Sequence, residues 1–441
     1  MGAGPTNADA KVTIIGTKPD PALAHARLAP KLLSVWRDGY SGAQFRSDAL
    51  AGLTVAIVAL PLSMAIAIAS GASPEAGLYT AIVGGFLISL LGGSRHQIGG
   101  PAGAFIVLVA ATIEKHGFDG LLLATAMAGA MMFMLGMLKL GSLIRFIPNP
   151  VIIGFTTAIG IIIFASQIKD LLGLVPAVKE PAALFPKLSV LLPALPTLNP
   201  SAFAIAAGTI AIILGLRRLQ PRWPGLLIAV VVASVAALSL NLPVETIGSR
   251  FGGVPSGLPA PVVPDFSLAK MQAVLPAAIA IALLGAIESL LSAVVADGMA
   301  GRQHRPNTEL VAQGVANIAT AFFGGITATG TLARTATNIR AGAHGPVSGM
   351  LHAIYLLGFM LLAAPLLVII PLAALAGILA VVAWNMIEPH AIRALSERRA
   401  DLIVFGSTFL ITIFRDLLEG IIIGLVLHAL IIAARRFGSR A

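Results

Sequence analysis

Apolar runs about as long as a bilayer is thick recur along the whole chain, and this constrains the fold more than any other feature. A spanning length of about 20 residues marks segments near 50–70, 75–93, 119–138, 150–168, 201–216, 224–242, 272–296, 308–323, 346–363, 365–384, 401–414 and 417–434. Unpaired backbone groups are costly in lipid, so runs of this kind must be helical. The expected fold class is all-α and polytopic in a membrane. With 57% apolar residues, 11% charged residues and a mean hydropathy of +0.93, a soluble fold is excluded.

The remaining composition narrows the function. A net charge of +10 could serve a nucleic-acid binder, but the basic residues lie scattered between apolar runs and not on one face. No nucleic-acid partner is expected. Cysteine is absent, which removes disulfides, thiol nucleophiles and thiolate metal sites. His96, His352 and His428 lack metal-ligand spacing, and no HExxH, Walker or GxSxG pattern occurs. Neither an enzyme nor a cofactor is expected.

One stretch breaks the apolar pattern. Gly324-Gly325-Ile326-Thr327-Ala328-Thr329-Gly330 favours extended backbone, and Thr331 to Ile339 can support a short helix. Irregular backbone at membrane depth is tolerated only inside protein or beside a wet cavity. A helix that starts there aims unpaired N–H groups and the positive end of its dipole at whatever lies in front of it. Arg334 in the first turn adds a full charge, so the stretch is a candidate site for a small anion. The alternative for Arg334 is a side chain that snorkels to the inner interface.

A second interruption opens with Gly99-Gly100-Pro101 and runs to residue 113. Counting 99–113 and 326–339 as half-spans gives fourteen crossings and places both termini on one side. With the N-terminus inside, 21 of the 29 Lys and Arg fall inside and seven outside, with Arg334 between them. The half-spans are third in each set of seven, so the two sets would be inverted repeats with segments 3 and 10 meeting at mid-membrane. The expected divisions are a cytosolic tail over 1–47, a first repeat over 48–242 and an extracytoplasmic connection over 243–271. A second repeat over 272–435 and a short cytosolic tail over 436–441 complete the chain. The proline-rich stretch 173–200 is expected to be a loop with short interfacial pieces.

Candidate anion contacts are Ala102, Gly103, Ala104 and Phe105 at one half-helix, and Thr331, Leu332, Ala333 and Arg334 at the other. Pro61 marks an expected kink that would turn Leu62 and Ile66 toward the cavity. Glu288 stands deep in an apolar run, where an acid is a functional candidate by default. Ser292 lies one turn further on the same face. Together they suit Na⁺ coordination or proton carriage, and the alternative is a packing role. Asp297 is expected to be a helix-end charge or a partner of Arg302 or Arg305, and Asn338 a packing group.

These residues resemble the SulP sulfate-permease family of anion transporters. The first-half motifs are Leu60-Pro61 with Ala65, Ser73-Pro74, Gly77-Leu78-Tyr79 and Gly100-Pro101. The second half carries Gly285-Ala286-Ile287-Glu288-Ser289-Leu290-Leu291, Asp297-Gly298-Met299, Asn307, Gly314, Asn317, the run Thr329 to Asn338 and Gly342-Ala343. The resemblance covers about residues 45–435. It implies a seven-plus-seven inverted repeat with core and scaffold domains, a homodimer, and a substrate held between segments 3 and 10. It also implies a coupling acid at Glu288 and the segment-ten arginine at Arg334. The family's usual cytosolic STAS domain is not expected here, since little sequence follows the last span. Ala333 replaces a frequent hydroxyl, and Leu62 and Ile66 replace frequent polar or aromatic groups. The phrases at 286–291 and 324–329 look like a bacterial branch that includes C4-dicarboxylate carriers, while other bacterial members carry sulfate or bicarbonate. The resulting expectation is an H⁺- or Na⁺-coupled symporter of a small anion in a bacterial inner membrane. An uncoupled channel or exchanger and a non-transporting scaffold are the alternatives.

Overall fold

Residues 28–142, 148–178, 180–221, 223–415 and 417–438 are described by a computed structural model. Most of the N-terminal tail, Arg145, Lys179, Arg222 and the last three residues lie outside them, although the charge count and tail assignments use these positions. The first elements are α1 (Lys31–Arg37), α2 (Gly42–Ala69), α3 (Pro74–Tyr79), a π-helical turn at Thr80–Gly84 and α4 (Gly85–Leu91). They lead into a two-residue strand β1 (Gly99–Gly100), a 3₁₀ turn at Gly103–Phe105 and the long α5 (Ile106–Met137). Next come α6 (Asn149–Leu172), α7 (Leu184–Leu191), α8 (Pro200–Leu219), α9 (Gly225–Ser239) and a short α10 (Ile247–Phe251).

The second half follows with α11 (Leu268–Ala300), α12 (Pro306–Phe322), β2 (Thr329–Gly330), α13 (Leu332–Arg340) and α14 (Val347–Leu367). It ends with α15 (Leu372–Met386), α16 (Pro389–Ser396), α17 (Arg399–Phe414) and α18 (Leu417–Gly438). The boundaries follow local chemistry. Ser41 and Gln44 form a capping box at the start of α2, and Asn199 caps α8 through Ser201 and Ala202. Gly173 and Gly301 take left-handed backbone where α6 and α11 stop.

Eight of the expected crossings are helical stretches long and apolar enough to span a membrane. The segments near 224–242, 308–323 and 401–414 are shorter, at 15, 17 and 16 residues. At about 1.5 Å per residue they reach less than the roughly 30 Å of a bilayer core. The half-span at 99–113 also differs from expectation, because it runs directly into the next segment. Only Gly117, at φ 73°, breaks the joined helix α5. Among its described residues, 173–199 holds α7 and a 3₁₀ turn at Leu195–Thr197, as a loop with short pieces should.

Two packing groups emerge. Helices α2 to α5 associate with α11 to α14, while α6, α8, α9, α15, α17 and α18 associate with one another. The connection after α9 is tied to both. Ile247 and Gly248 donate to Ile370 and Val368 in the turn between α14 and α15, and Val262 donates to Phe322 at the end of α12.

Candidate functional site

The two interrupted segments meet. β1 and β2 pair antiparallel, Gly99 opposite Gly330 and Gly100 opposite Thr329. Thr331 N–H donates to Ile98 O at 2.9 Å, and Ile98 N–H donates to Thr335 Oγ1 at 3.0 Å. Each strand is followed at once by a helix start, at Ala102 and at Thr331, and no side chain caps either one. First-turn N–H groups have no carbonyl one turn back, so both starts keep donors for an outside acceptor.

Side chains that entered the sequence reading only as family motif residues, together with Gln97, which it did not name, hold this junction in place. Ser289 on α11 shares a 2.7 Å hydrogen bond with Thr329 Oγ1, and Gln97 Nε2 donates to Ser289 O at 2.9 Å. A Cβ on Gly330 would stand 1.4 Å from Gln97 Nε2, so a side chain there would push the Gln97 amide out of place. Asn317 on α12 grips Ala328 from both sides, accepting from its N–H at 2.9 Å and donating to its carbonyl at 2.8 Å. All of these polar side chains are buried. Their common signal was a polar residue inside an apolar segment, which indicates burial and not the partner.

Arg334 is buried, with 1% of its surface exposed, so it does not snorkel to an interface. Its Nη2 donates to Ser63 Oγ at 3.1 Å and to Pro101 O at 3.2 Å. Ser63 in turn donates to Ala59 O, which leaves its lone pairs for the guanidinium. Among the described residues, no carboxylate pairs with Arg334, and its Nε and Nη1 have no hydrogen-bond partner. Beside it the first turn is open, since Leu332 is 42% exposed and Ala333 is also exposed. Thr331, Ala102, Ala104 and Phe105 are buried. Gly103 faces Ile163 on α6 and Val382 and Met386 on α15, which puts this helix start between the two packing groups.

Two expectations change. Pro61 sits inside the continuous helix α2, and Leu62 and Ile66 are buried in the apolar cluster that also holds Ala102, Ala104 and Phe105, so neither is turned to open space. Asp297 pairs with His304 Nδ1 at 2.6 Å and not with Arg302 or Arg305, because the turn after α11 folds His304 back over it. Glu288 and Ser292 both lie on α11, one turn apart on one face. Glu288 Oε2 and Ser292 Oγ are each buried without a partner among the described residues. Asn338 does pack as expected, donating to His96 O and Ser348 Oγ. No group of three or more His, Asp or Glu side chains converges among the described residues.

Two broken membrane segments crossing as paired strands, with helix starts and a buried cation around them, define a multi-pass membrane protein of the transporter class. The chain belongs to the sulfate permease family, whose family model matches residues 45–408. It is 44% identical over 392 residues to YvdB of Bacillus subtilis (strain 168), provisionally named a sulfate transporter, covering 88% of this chain and 74% of YvdB. It is 34% identical over 391 residues to the bicarbonate transporter BicA of Picosynechococcus sp. (strain ATCC 27264 / PCC 7002 / PR-6), covering 86% of this chain and 68% of that protein. The transmembrane domain of a cyanobacterial bicarbonate transporter BicA superposes with a TM-score of 0.76 at 30% identity, over 88% of this chain and 98% of that domain. These relatives are transporters and not enzymes, and anion transport is the function the family supports.

Proposed function

We propose that the chain is a secondary active transporter that carries a small oxyanion, sulfate or bicarbonate, across a bacterial cytoplasmic membrane by alternating access. The observation that carries this reading is the unpaired Arg334 guanidinium, buried beside two uncapped helix starts. A buried charge without a counter-charge is costly, and an anion between Ala102–Phe105 and Thr331–Arg334 would offset that cost. The backbone N–H groups would supply direction and Arg334 the field. The small side chains of Ala102, Gly103, Ala104 and Ala333 leave the backbone N–H groups open to an approaching anion.

Fourteen crossings in two inverted repeats fit this reading, and the antiparallel pairing of β1 with β2 supports it. The α2–α5 and α11–α14 group would be the moving core and the other group the scaffold. Termini on the cytoplasmic side and a homodimer belong to the same proposal. Glu288, with Ser292, would couple transport to H⁺ or Na⁺, which the unpartnered Glu288 Oε2 supports. The test is uptake of labelled sulfate, bicarbonate and fumarate into proteoliposomes, with and without H⁺ or Na⁺ gradients. Accumulation of one inorganic anion is the expected outcome. Absence of flux for all three would overturn the transporter reading, and fumarate uptake alone would overturn the oxyanion assignment.

A further inference from the structure

A second cation-rich site lies away from the strand junction. Lys31, Arg95, Gly301, Arg302 and Gln303 line an open cleft of about 380 Å³. Its walls come from three parts of the chain: the start of α1, the loop after α4, and the turn between α11 and α12. These walls are fixed to one another. Lys31 N–H donates to Gly92 O and Arg305 N–H to Gly93 O, both at 2.9 Å. The buried Glu309 carboxylate accepts from the N–H groups of Gly93 and Ser94. Arg305 reaches back to Ala29 O and Ser34 Oγ, which anchors α1 on the same frame.

The charge in this frame is unbalanced. Asp38 is taken by Arg95 at 2.5 Å, and Asp297 is taken by His304. Lys31 Nζ and the Arg302 guanidinium have no ion pair among the described residues. Burial, followed by the nearby Arg305 and Arg95, holds the Lys31 ammonium below its ordinary value, with Asp297 opposing and Arg302 adding to the shift. A cleft with two spare cations and a third at its wall favours a multiply charged oxygen acceptor, and a phosphate group offers one.

The neighbourhood of the cleft indicates where that phosphate comes from. Helix α1 buries Leu32 and Val35 but leaves Leu33 and Trp36 exposed, Trp36 by 61%. Phe45, one element later, is 50% exposed. Exposed tryptophan beside basic residues is the pattern of a membrane interface.

We propose that this cleft binds the phosphate of an anionic phospholipid headgroup, with Lys31 and Arg302 as its charge partners and Arg95 in its wall. Bound lipid would clamp α1, the loop leading into β1 and the end of α11 together. The lipid would thus act on the same elements that carry the strand junction, without being the transported anion.

The test is thermal unfolding of the detergent-purified full chain with added phosphatidylglycerol, phosphatidylcholine or inorganic phosphate. Ligand that binds only the folded state raises Tm as its concentration passes Kd. Phosphatidylglycerol should raise Tm, and K31Q/R302Q should lose more than half of that shift. The shift should survive in R398Q/R399Q, which removes two cations from the start of α17. An equal response to phosphatidylcholine, or an undiminished shift in K31Q/R302Q, would overturn the site. An equal response to inorganic phosphate would overturn the lipid as its source. If the double variant does not fold, R302K is compared with R302Q: a larger shift in R302K supports the site, and equal shifts overturn it.

Discussion

Arg334 Nη1 occupies the space that a side chain on Gly100 would need, since a Cβ there would stand 2.0 Å from it. The two residues belong to the two interrupted segments, so the missing side chain of one segment makes room for the charge of the other. Gly100→Ala should displace the guanidinium from Ser63 and Pro101 while leaving the charge in the protein. Hydrogen bonds to charged groups are worth about 1.5–3 kcal/mol, so anion uptake should fall about tenfold or more. Proteoliposome uptake as a function of anion concentration measures it, and wild-type KM in Gly100→Ala would contradict the placement.

Arg334→Ala removes the only charge at the junction that comes from α13's first turn, and uptake should fall to background. Arg334→Lys keeps the charge but removes the Nη2 that donates to both Ser63 Oγ and Pro101 O, and with it the free Nε and Nη1 donors. It should retain weak, low-affinity uptake. Equal activity of the two variants would show that charge alone is not what the site uses.

Glu288→Gln tests coupling separately from binding. The amide cannot carry a proton and is a poorer Na⁺ ligand, so concentrative uptake driven by a gradient should be lost while downhill exchange persists. The comparison is uptake with and without an imposed ion gradient. A mutant that still concentrates the anion would assign Glu288 to packing and favour an exchanger.

Asn317→Ala should destabilise the fold more than a surface change would. It leaves the N–H and carbonyl of Ala328 unpaired in a buried position, at a cost of about 1–3 kcal/mol for each group. Asn317→Asp keeps an acceptor for Ala328 N–H but buries a carboxylate oxygen against the carbonyls of Ala328 and Gln313, so its Tm should also fall below wild type. Unfolding followed in detergent measures both, and a wild-type Tm for Asn317→Ala would remove Asn317 from the support of β2.

The rule that picked out Glu288, an acid inside an apolar segment, applies equally to Glu309 on α12. The structure shows Glu309 holding the backbone of Gly93 and Ser94. Asp48 in α2 is a similar case, accepting from the N–H groups of His344 and Gly345 and from the Tyr40 hydroxyl. An acid in a membrane segment is thus a sign of burial with a purpose, and the sequence does not separate a loop anchor from a site. Ser63 gave less warning still, because a serine bonded to the carbonyl four residues back is an ordinary helix residue until Arg334 arrives.

By itself the sequence determined the membrane-helical class, the two places where helices break, and the presence of Arg334 in the turn after the second break. Those properties are local: the length of an apolar run, and glycine and proline that cannot continue a helix. Only the tertiary structure decided that β1 and β2 pair and that Arg334 is buried against Ser63, 271 residues earlier in the chain. Only it decided that Ser289, Gln97 and Asn317 hold the junction, and that Leu62 and Ile66 are closed in apolar packing. Each of these depends on how the two halves pack, and a hydrogen bond across hundreds of residues leaves no periodicity in the chain to reveal its partner.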